Sequence, residues 1–446
     1  MKFLPQVAFL IALGVTAYLI YRRVSRIGSN IRLGRSLSRK DNPSARMGTM
    51  LRIAFGQKKM FDKPLVGAMH FVIYAGFLLI NIEVLEIIID GITGMHRAFA
   101  GFLGSFYAIL ISFFEFLAVG VLLACVIFLI RRNVLKVPRF KMPEMKGWPA
   151  LDGNLILVIE ITLMTAILLM NGADLVLQEN KVPHYRNTGP NPFLFSQMFV
   201  PLLDGLPNST LIAIERVGWW FHILGIFAFS VYVTYSKHLH IALAFPNTYF
   251  SNLRAKGYMD NMESVTNEVQ LALGLKEDDG NMPEIDRFGA KDVNDLTWKN
   301  LMDAYSCTEC GRCTSNCPAN LTGKKLSPRK VMMDTRDRLE EVGDNLAKTK
   351  DKDLEKALGE GDALYSDTFI SKEELMACTT CNACTVACPI NIDPLSIILQ
   401  MRRYVALEEA DTPQSWNAMF TNIENNMAPW QFSPTDRFNW AENIND

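Results

Sequence analysis

The chain has almost no surplus charge. Its 446 residues hold 45 Lys and Arg against 46 Asp and Glu, a formal net charge of −1. Nucleic acid, which is held by clustered cationic side chains, is therefore not an indicated partner. The sequence also lacks a G-x-G-x-x-G run, a P-loop, an HExxH pair and a nucleophile elbow, so no residue is nominated as catalytic. Cysteine is scarce, nine in all, with no adjacent Cys-Cys pair. Eight of the nine fall in two tight runs, and the ninth, Cys125, sits in an apolar stretch and reads as a small packing residue.

What is present is organised around Cys307 to Pro389. Cys307, Cys310, Cys313 and Cys317 precede Pro318, and Cys378, Cys381, Cys384 and Cys388 precede Pro389. Each run reads C-x2-C-x2-C-x3-C-P, the bacterial ferredoxin spacing for a [4Fe–4S] cluster, in which the fourth cysteine of each run ligates the other cluster. The expected sets are Cys307, Cys310, Cys313 and Cys388 for cluster one, and Cys378, Cys381, Cys384 and Cys317 for cluster two. Structural zinc prefers separated C-x2-C pairs, and a chain this large with such tight spacing is not a disulfide scaffold. Thiolates committed to iron imply a reducing compartment.

Residues 1–245 are dominated by apolar runs, five of them long enough to span a bilayer, near 5–21, 64–89, 103–130, 153–176 and 212–236. The first lacks Ala-x-Ala cleavage chemistry and is followed by Arg22-Arg23, so it reads as a retained anchor. Residues 22–63 carry twelve Lys and Arg and residues 131–152 carry six, Lys136 among them. The opposite connections, 90–102 and 177–211, hold only Arg97, Lys181 and Arg186. The positive-inside bias places the N-terminus outside and the cysteine runs in the cytoplasm of a bacterial inner membrane protein.

Histidines mark a second site. His70 lies about two turns into the second span, and His222 and His240 are eighteen residues apart, about five helical turns and roughly 27 Å, on the fifth. His238 points about 160° away by the same period. His70 and His240 share a cytoplasmic depth, which suits two axial ligands of one b-type haem; helix capping or headgroup contact are the plainer uses of such histidines. Glu83, Glu86, Glu115 and Glu160 also fall in or near the spans. Such carboxylates are either neutral and hydrogen-bonded or part of a proton or quinone route, and Glu83 and Glu86 could simply reach the outer surface. The outer connection 177–211, with His184, Tyr185 and Arg186, is long enough to fold over the helices.

These five spans and the fifth-span histidines resemble the cytochrome b (gamma) subunit of respiratory nitrate reductase and the related membrane subunits of heterodisulfide reductases. The resemblance implies haem ligands at His222 and His240 and one on the second span at His70. The other second-span position is Ile80, which cannot ligate iron. One haem b, on His70 and His240, is thus implied, and a second would need His222 to find a partner such as His96.

Residues 241–300 read as a connecting arm with short helices lying on the membrane surface, acidic around Glu277-Asp278-Asp279-Gly280. An amphipathic helix over 295–304 leads into Cys307, further helices are expected over 330–341, 352–358 and 371–377, and no β-alternation stands out. Pro429, Trp430, Phe432 and Trp440 give the tail apolar anchors for packing or docking. The expected fold is all-α, a five-helix transmembrane bundle (1–240) followed by an α-helical ferredoxin-type domain (301–446). This module resembles the small iron–sulfur subunit of heterodisulfide reductase and its fused relatives in anaerobic glycerol-3-phosphate dehydrogenase and glycolate oxidase. Many of those continue into cysteine-rich domains with paired cysteines, which this sequence lacks. The resemblance therefore implies a membrane-bound heterodisulfide reductase-like iron–sulfur protein with a separate cysteine-rich (CCG-domain-like) subunit. Electrons would pass between an electron-transfer flavoprotein or dehydrogenase, the clusters, haem b and membrane quinone. The competing readings are a thiol–disulfide or heterodisulfide reductase subunit and a redox-sensing anchor.

Overall fold

The computed structural model describes residues 3–135, 137–185, 193–277, 287–442 and 444. Lys136, Arg186 and the Asp278-Asp279-Gly280 stretch lie outside the described residues. Five helices are long and apolar enough to cross a membrane: α1 (Leu4–Ile31), α2 (Pro64–Thr93), α3 (Ser105–Asn133), α4 (Trp148–Glu179) and α5 (Asn208–Val233). At 1.5 Å per residue each exceeds the roughly 30 Å hydrocarbon layer, so their ends project beyond it. Among the described residues no strand forms, and everything after α5 is helix, turn and loop.

Each helix starts and stops where its chemistry dictates. Pro64 opens α2, where a missing N–H is no loss, and Gly94 closes it in the left-handed region, its N–H reaching Asp90 O at 2.7 Å. On α1, Phe9 is fully buried against Trp219, Trp220 and Phe227 of α5. Gly91 of α2 makes room for it: a Cβ there would stand 2.6 Å from the Phe9 ring.

The first helix is longer than its apolar run. Beyond Tyr21 it continues for a further ten residues to Ile31 and lies against the C-terminal domain. There Arg23 makes a two-pronged ion pair with Glu340 at 2.9 and 2.6 Å, and Asn30 donates to Tyr305 Oη at 2.9 Å. Part of the basic signal in residues 22–63 thus has specific acidic partners.

The fifth span differs from expectation in the opposite way. Helix α5 stops at Val233, the chain turns through Thr234–Ser236, and a new helix, α6 (His240–Tyr249), begins. Ser236 caps the turn by accepting from His238 N at 3.1 Å while donating to Asp152 Oδ1 at 2.7 Å. His222 and His240 are therefore not five turns apart on one helix. The following arm is not a surface strap at its start either. Asn247 of α6 is fully buried, donating to Ile390 O at 3.0 Å and accepting from Lys299 Nζ at 3.0 Å.

The C-terminal domain is built from α7 (Trp298–Ser306), α8 (Arg312–Ser315), α9 (Pro328–Lys348), α10 (Lys372–Met376), α11 (Ala383–Ala387) and α12 (Pro394–Leu407). Thr297 and Asn300 form a capping box for α7, and Ser371 and Glu374 form one for α10. Leu301, Leu339, Val342, Ile397 and Met401 are fully buried at its centre. Ile27, Ala54, Leu239 and Ala244 belong to the same apolar cluster, so the projecting end of α1, the connection before α2 and the segments that follow α5 share a core with this domain. The tail aromatics do not pack against the rest of the chain: Trp430, Phe432 and Trp440 are all more than 60% exposed.

Candidate redox centres

The two cysteine runs fold as copies of one loop. Cys307 ends α7 in extended conformation, then Glu309 and Gly311 take positive φ (53° and 71°) before α8 begins. In the second run Thr380 and Asn382 take positive φ (55° and 61°) before α11. The left-handed residues stand at the same two places relative to the first cysteine of each run. They curl the loop so that an amide faces sulfur, Thr380 N donating to Cys378 Sγ at 3.4 Å; beyond the run Asn391 takes positive φ (59°) and Ile392 N donates to Cys388 Sγ at 3.3 Å. A Cβ at Gly311 would stand 2.5 Å from Arg329 Nη1, so a side chain there would have to displace that guanidinium.

Cys307, Cys310, Cys313 and Cys388 line one small cavity, closed by Met332, Pro389 and Ile392. Cys388 comes from the second run, which is the crossed pairing the spacing predicts. Among the described residues no three His, Cys, Asp or Glu side chains close round a single ion. The four cysteines line one shared space, an arrangement that suits corner ligands of a cluster. On the other side Cys378 lies within electrostatic reach of Cys317 and Cys381, and Cys384 within reach of Cys378. Burial pushes Cys307, Cys388 and Cys384 up to about 12, so their thiolates are favoured only beside a cation such as cluster iron, and loading releases protons. Cys381 alone of the eight is exposed.

Between α2, α3, α4, α5 and α6 lies a cavity of about 460 Å³, within the size range of cofactor sites. His70 and His240 both line it, with ring centroids 6.5 Å apart. Two imidazoles on opposite sides of one metal, with bonds of about 2 Å, place their centroids roughly 6 Å apart. Each ring has its Nδ1 engaged, His70 with Gln57 Oε1 at 2.9 Å and His240 with Lys237 O at 3.1 Å. That is the outer-shell arrangement that fixes a ligating tautomer and leaves Nε2 for the metal. The donor set and the spacing fit a bis-histidine haem.

His222 lines the same cavity, higher up, and donates Nδ1–H to Leu163 O at 3.1 Å. Its Nε2 is buried with no partner among the described residues. His96 is elsewhere. It contacts Asp174 at 3.2 Å and stacks near His184 and Tyr185. Leu163 and Asp174 are eleven positions apart on α4, about 16 Å along the axis, so the structure does not bring His96 to His222. His238 stands against Phe229 and His240 and lines the cavity too.

The membrane carboxylates separate into two kinds. Glu83 and Glu86, which the sequence allowed at the surface, are buried: Arg97 bonds Glu83 at 3.2 Å, Asp174 at 3.1 Å and Asn171 at 2.6 Å, and Tyr107 bonds Glu86 at 2.7 Å. Glu115 accepts from Phe195 N at 2.7 Å, Ser196 N at 3.1 Å and Asn171 at 3.1 Å. The connection between α4 and α5 thus dips into the bundle at Phe195 and Ser196 and is pinned there. Glu160, by contrast, lines the cavity and makes no hydrogen bond among the described residues.

Sequence reasoning missed Gln57, which orients His70, and Glu309, the middle of the first cysteine loop. Glu309 pairs with Lys237 and, at 2.7 Å, with Arg336. Nothing in a single sequence pairs residues so far apart.

Residues 306–392 match the 4Fe-4S dicluster domain family. The chain is 28% identical over 465 aligned positions to a probable iron-sulfur-binding oxidoreductase, FadF, of Bacillus subtilis, covering 98% of this chain and 61% of that protein. It is 27% identical to the EtfAB:quinone oxidoreductase of Syntrophomonas wolfei, covering 91% of this chain and 55% of that one. A probable membrane-anchored ferredoxin of Chromohalobacter salexigens is 33% identical over 38% of this chain and 26% of its own length. The chain therefore spans little more than half the length of the curated relatives it matches end to end. No solved structure matches it. The chain is a membrane protein with a dicluster iron–sulfur domain, similar to iron–sulfur oxidoreductases and suited to electron transfer.

Proposed function

We propose that the chain is the membrane-anchored electron-transfer subunit of a quinone-linked oxidoreductase, with electrons moving between a cytoplasmic donor, two [4Fe–4S] clusters, haem b and the quinone pool. The observation that carries this reading is a shared wall. Cys310, Pro389 and Ile390 line both the cavity of His70 and His240 and the cavity of the four cysteines. Cluster one, on Cys307, Cys310, Cys313 and Cys388, is then the inner centre, and cluster two, on Cys378, Cys381, Cys384 and Cys317, faces outward through exposed Cys381.

A haem held by His70 and His240 would supply reversible one-electron chemistry at the membrane boundary. Gln57 and the Lys237 carbonyl fix the two imidazoles, while the apolar walls exclude water and tune the potential. His222 and Glu160, farther up the cavity, face the space where a second haem or a quinone head would bind. The dicluster domain packs against the ends of the helices joined by Lys- and Arg-rich connections, which supports a cytoplasmic domain and an outside N-terminus. The proposed partners are a cysteine-rich subunit and an electron-transfer flavoprotein or dehydrogenase. The Syntrophomonas relative is named for electron-transfer flavoprotein and quinone.

The test uses the full chain in lipid nanodiscs under anaerobic conditions. A menaquinol analogue added to oxidised protein should produce reduced b-type optical bands and then reduced-cluster EPR signals. Protein that shows both sets of centres yet exchanges no electrons with any quinol or quinone would refute the quinone-linked role.

A further inference from the structure

The cavity that holds His70 and His240 has a cationic mouth. Arg131 and Arg132 at the end of α3, Arg139 in the turn that follows, and Arg312 all line it. Among the described residues its acidic lining is Glu160 and Glu309. Glu160 sits in the middle of α4, and Glu309 is already held by Lys237 and Arg336. Of the other acids at this end, Glu144 is bonded by Arg329 at 2.8 Å and Asp152 by Ser236 at 2.7 Å.

The arginines are left with spare donors. Arg132 uses Nε on Asn154 at 3.1 Å and Nη2 on Ala150 O at 3.3 Å. Arg312, only 8% exposed, spends one nitrogen on Lys59 O at 2.8 Å. Arg139 has a buried Nε with no partner among the described residues; Cys310 stands beside it, and Arg131, Arg312 and Arg329 crowd it as like charges. Like charges gathered at the end of an apolar cavity, one with an orphaned N–H, call for an anion.

We propose that Arg139 and Arg312, assisted by Arg131, bind the two carboxylates of the porphyrin whose iron His70 and His240 would hold. This rests on the haem reading above. Arg312 lies between Cys310 and Cys313, so the cluster-one loop itself would supply part of the porphyrin's binding site. A lipid phosphate offers similar chemistry, but a headgroup belongs at an exposed rim, whereas Arg312 is buried within the cluster loop. The guanidinium charges would also favour the reduced iron, because they oppose the extra positive charge of the oxidised form.

The experiment uses the full chain made in haem-deficient cells, then loaded in detergent with either iron protoporphyrin or its dimethyl ester. Wild type should retain the free acid several-fold better than the ester through gel filtration. Arg139→Gln plus Arg312→Gln should lose that preference, shift the haem midpoint potential downward, and keep both cluster EPR signals. Arg312→Lys should recover part of the preference. Equal retention of acid and ester by wild type would overturn the proposal while leaving the haem site standing, as would a preference unchanged in the double variant. Retention that follows the phospholipid supplied rather than esterification would assign the arginines to lipid phosphate instead. Wild type that takes up neither porphyrin would sink the haem reading itself.

Discussion

Lys237 and Glu309 form a buried ion pair across the junction of the two domains, their side chains 9% and 3% exposed. Lys237 also offers its carbonyl to His240 Nδ1, and Glu309 lies two residues from Cys307. One contact thus ties the orientation of a histidine in the membrane cavity to the loop of the inner cysteine set. Arg336 completes the arrangement from α9.

Breaking that pair leaves a buried carboxylate short of a partner. Because Arg336 still pairs with Glu309, Lys237→Ala should cost about 1.5–3 kcal/mol, visible as a lowered thermal midpoint of the detergent-solubilised protein. Lys237→Arg should retain most of the stability. Equal midpoints for Lys237→Ala and wild type would show that the junction does not depend on this contact.

The second tie, Arg23 with Glu340, responds to pH. Burial pushes the Glu340 carboxyl up, but Arg23 and the Tyr305 hydroxyl outweigh it and hold it below the usual carboxylate range. A depressed folded pKa means the stabilisation is fully present above the unfolded value of about 4.5 and is lost as pH falls through the folded one. With side chains 11% and 25% exposed, Glu340→Gln should cost about 1–3 kcal/mol at pH 7. The gap between variant and wild-type melting should narrow as the pH is lowered below 4.5. A gap that widens in acid would reverse the sign of this account.

At the opposite end, Arg97 is 4% exposed and serves Glu83, Asp174 and Asn171 together. Arg97→Gln should destabilise by about 3–5 kcal/mol. Arg97→Lys should fall between the two, because an ammonium keeps the charge but not the planar fork. Melting of the three proteins in one detergent gives the order directly.

How much of this was legible in sequence follows from how local each signal is. The cysteine runs carry their geometry within a dozen residues, so the crossed set of Cys307, Cys310, Cys313 and Cys388 follows from spacing alone. Hydropathy found all five spans but misjudged two ends. At α1 it stopped where the apolar residues stop, although the helix runs on to dock Arg23 and Asn30. At the fifth span it ran through Ser236, whose hydroxyl caps a new turn and breaks the helix. That His70 and His240 lie near each other follows the expectation drawn from their shared depth and the family resemblance. The separation of His96 from His222 was not legible, because Asp174, which holds His96, lies far along the chain on α4. The tail aromatics show the converse limit: apolar composition suggested packing or docking, and Trp430 and Trp440 do not pack within the chain but lie exposed.

The most direct test counts porphyrin and iron in the same preparation. Wild type should carry b-type haem with about eight non-haem irons per chain, as two cubane clusters require. His70→Ala and His240→Ala should each abolish the haem bound at that pair while leaving the non-haem iron and both cluster signals in place. Haem content unchanged in the double variant would contradict the account at its centre.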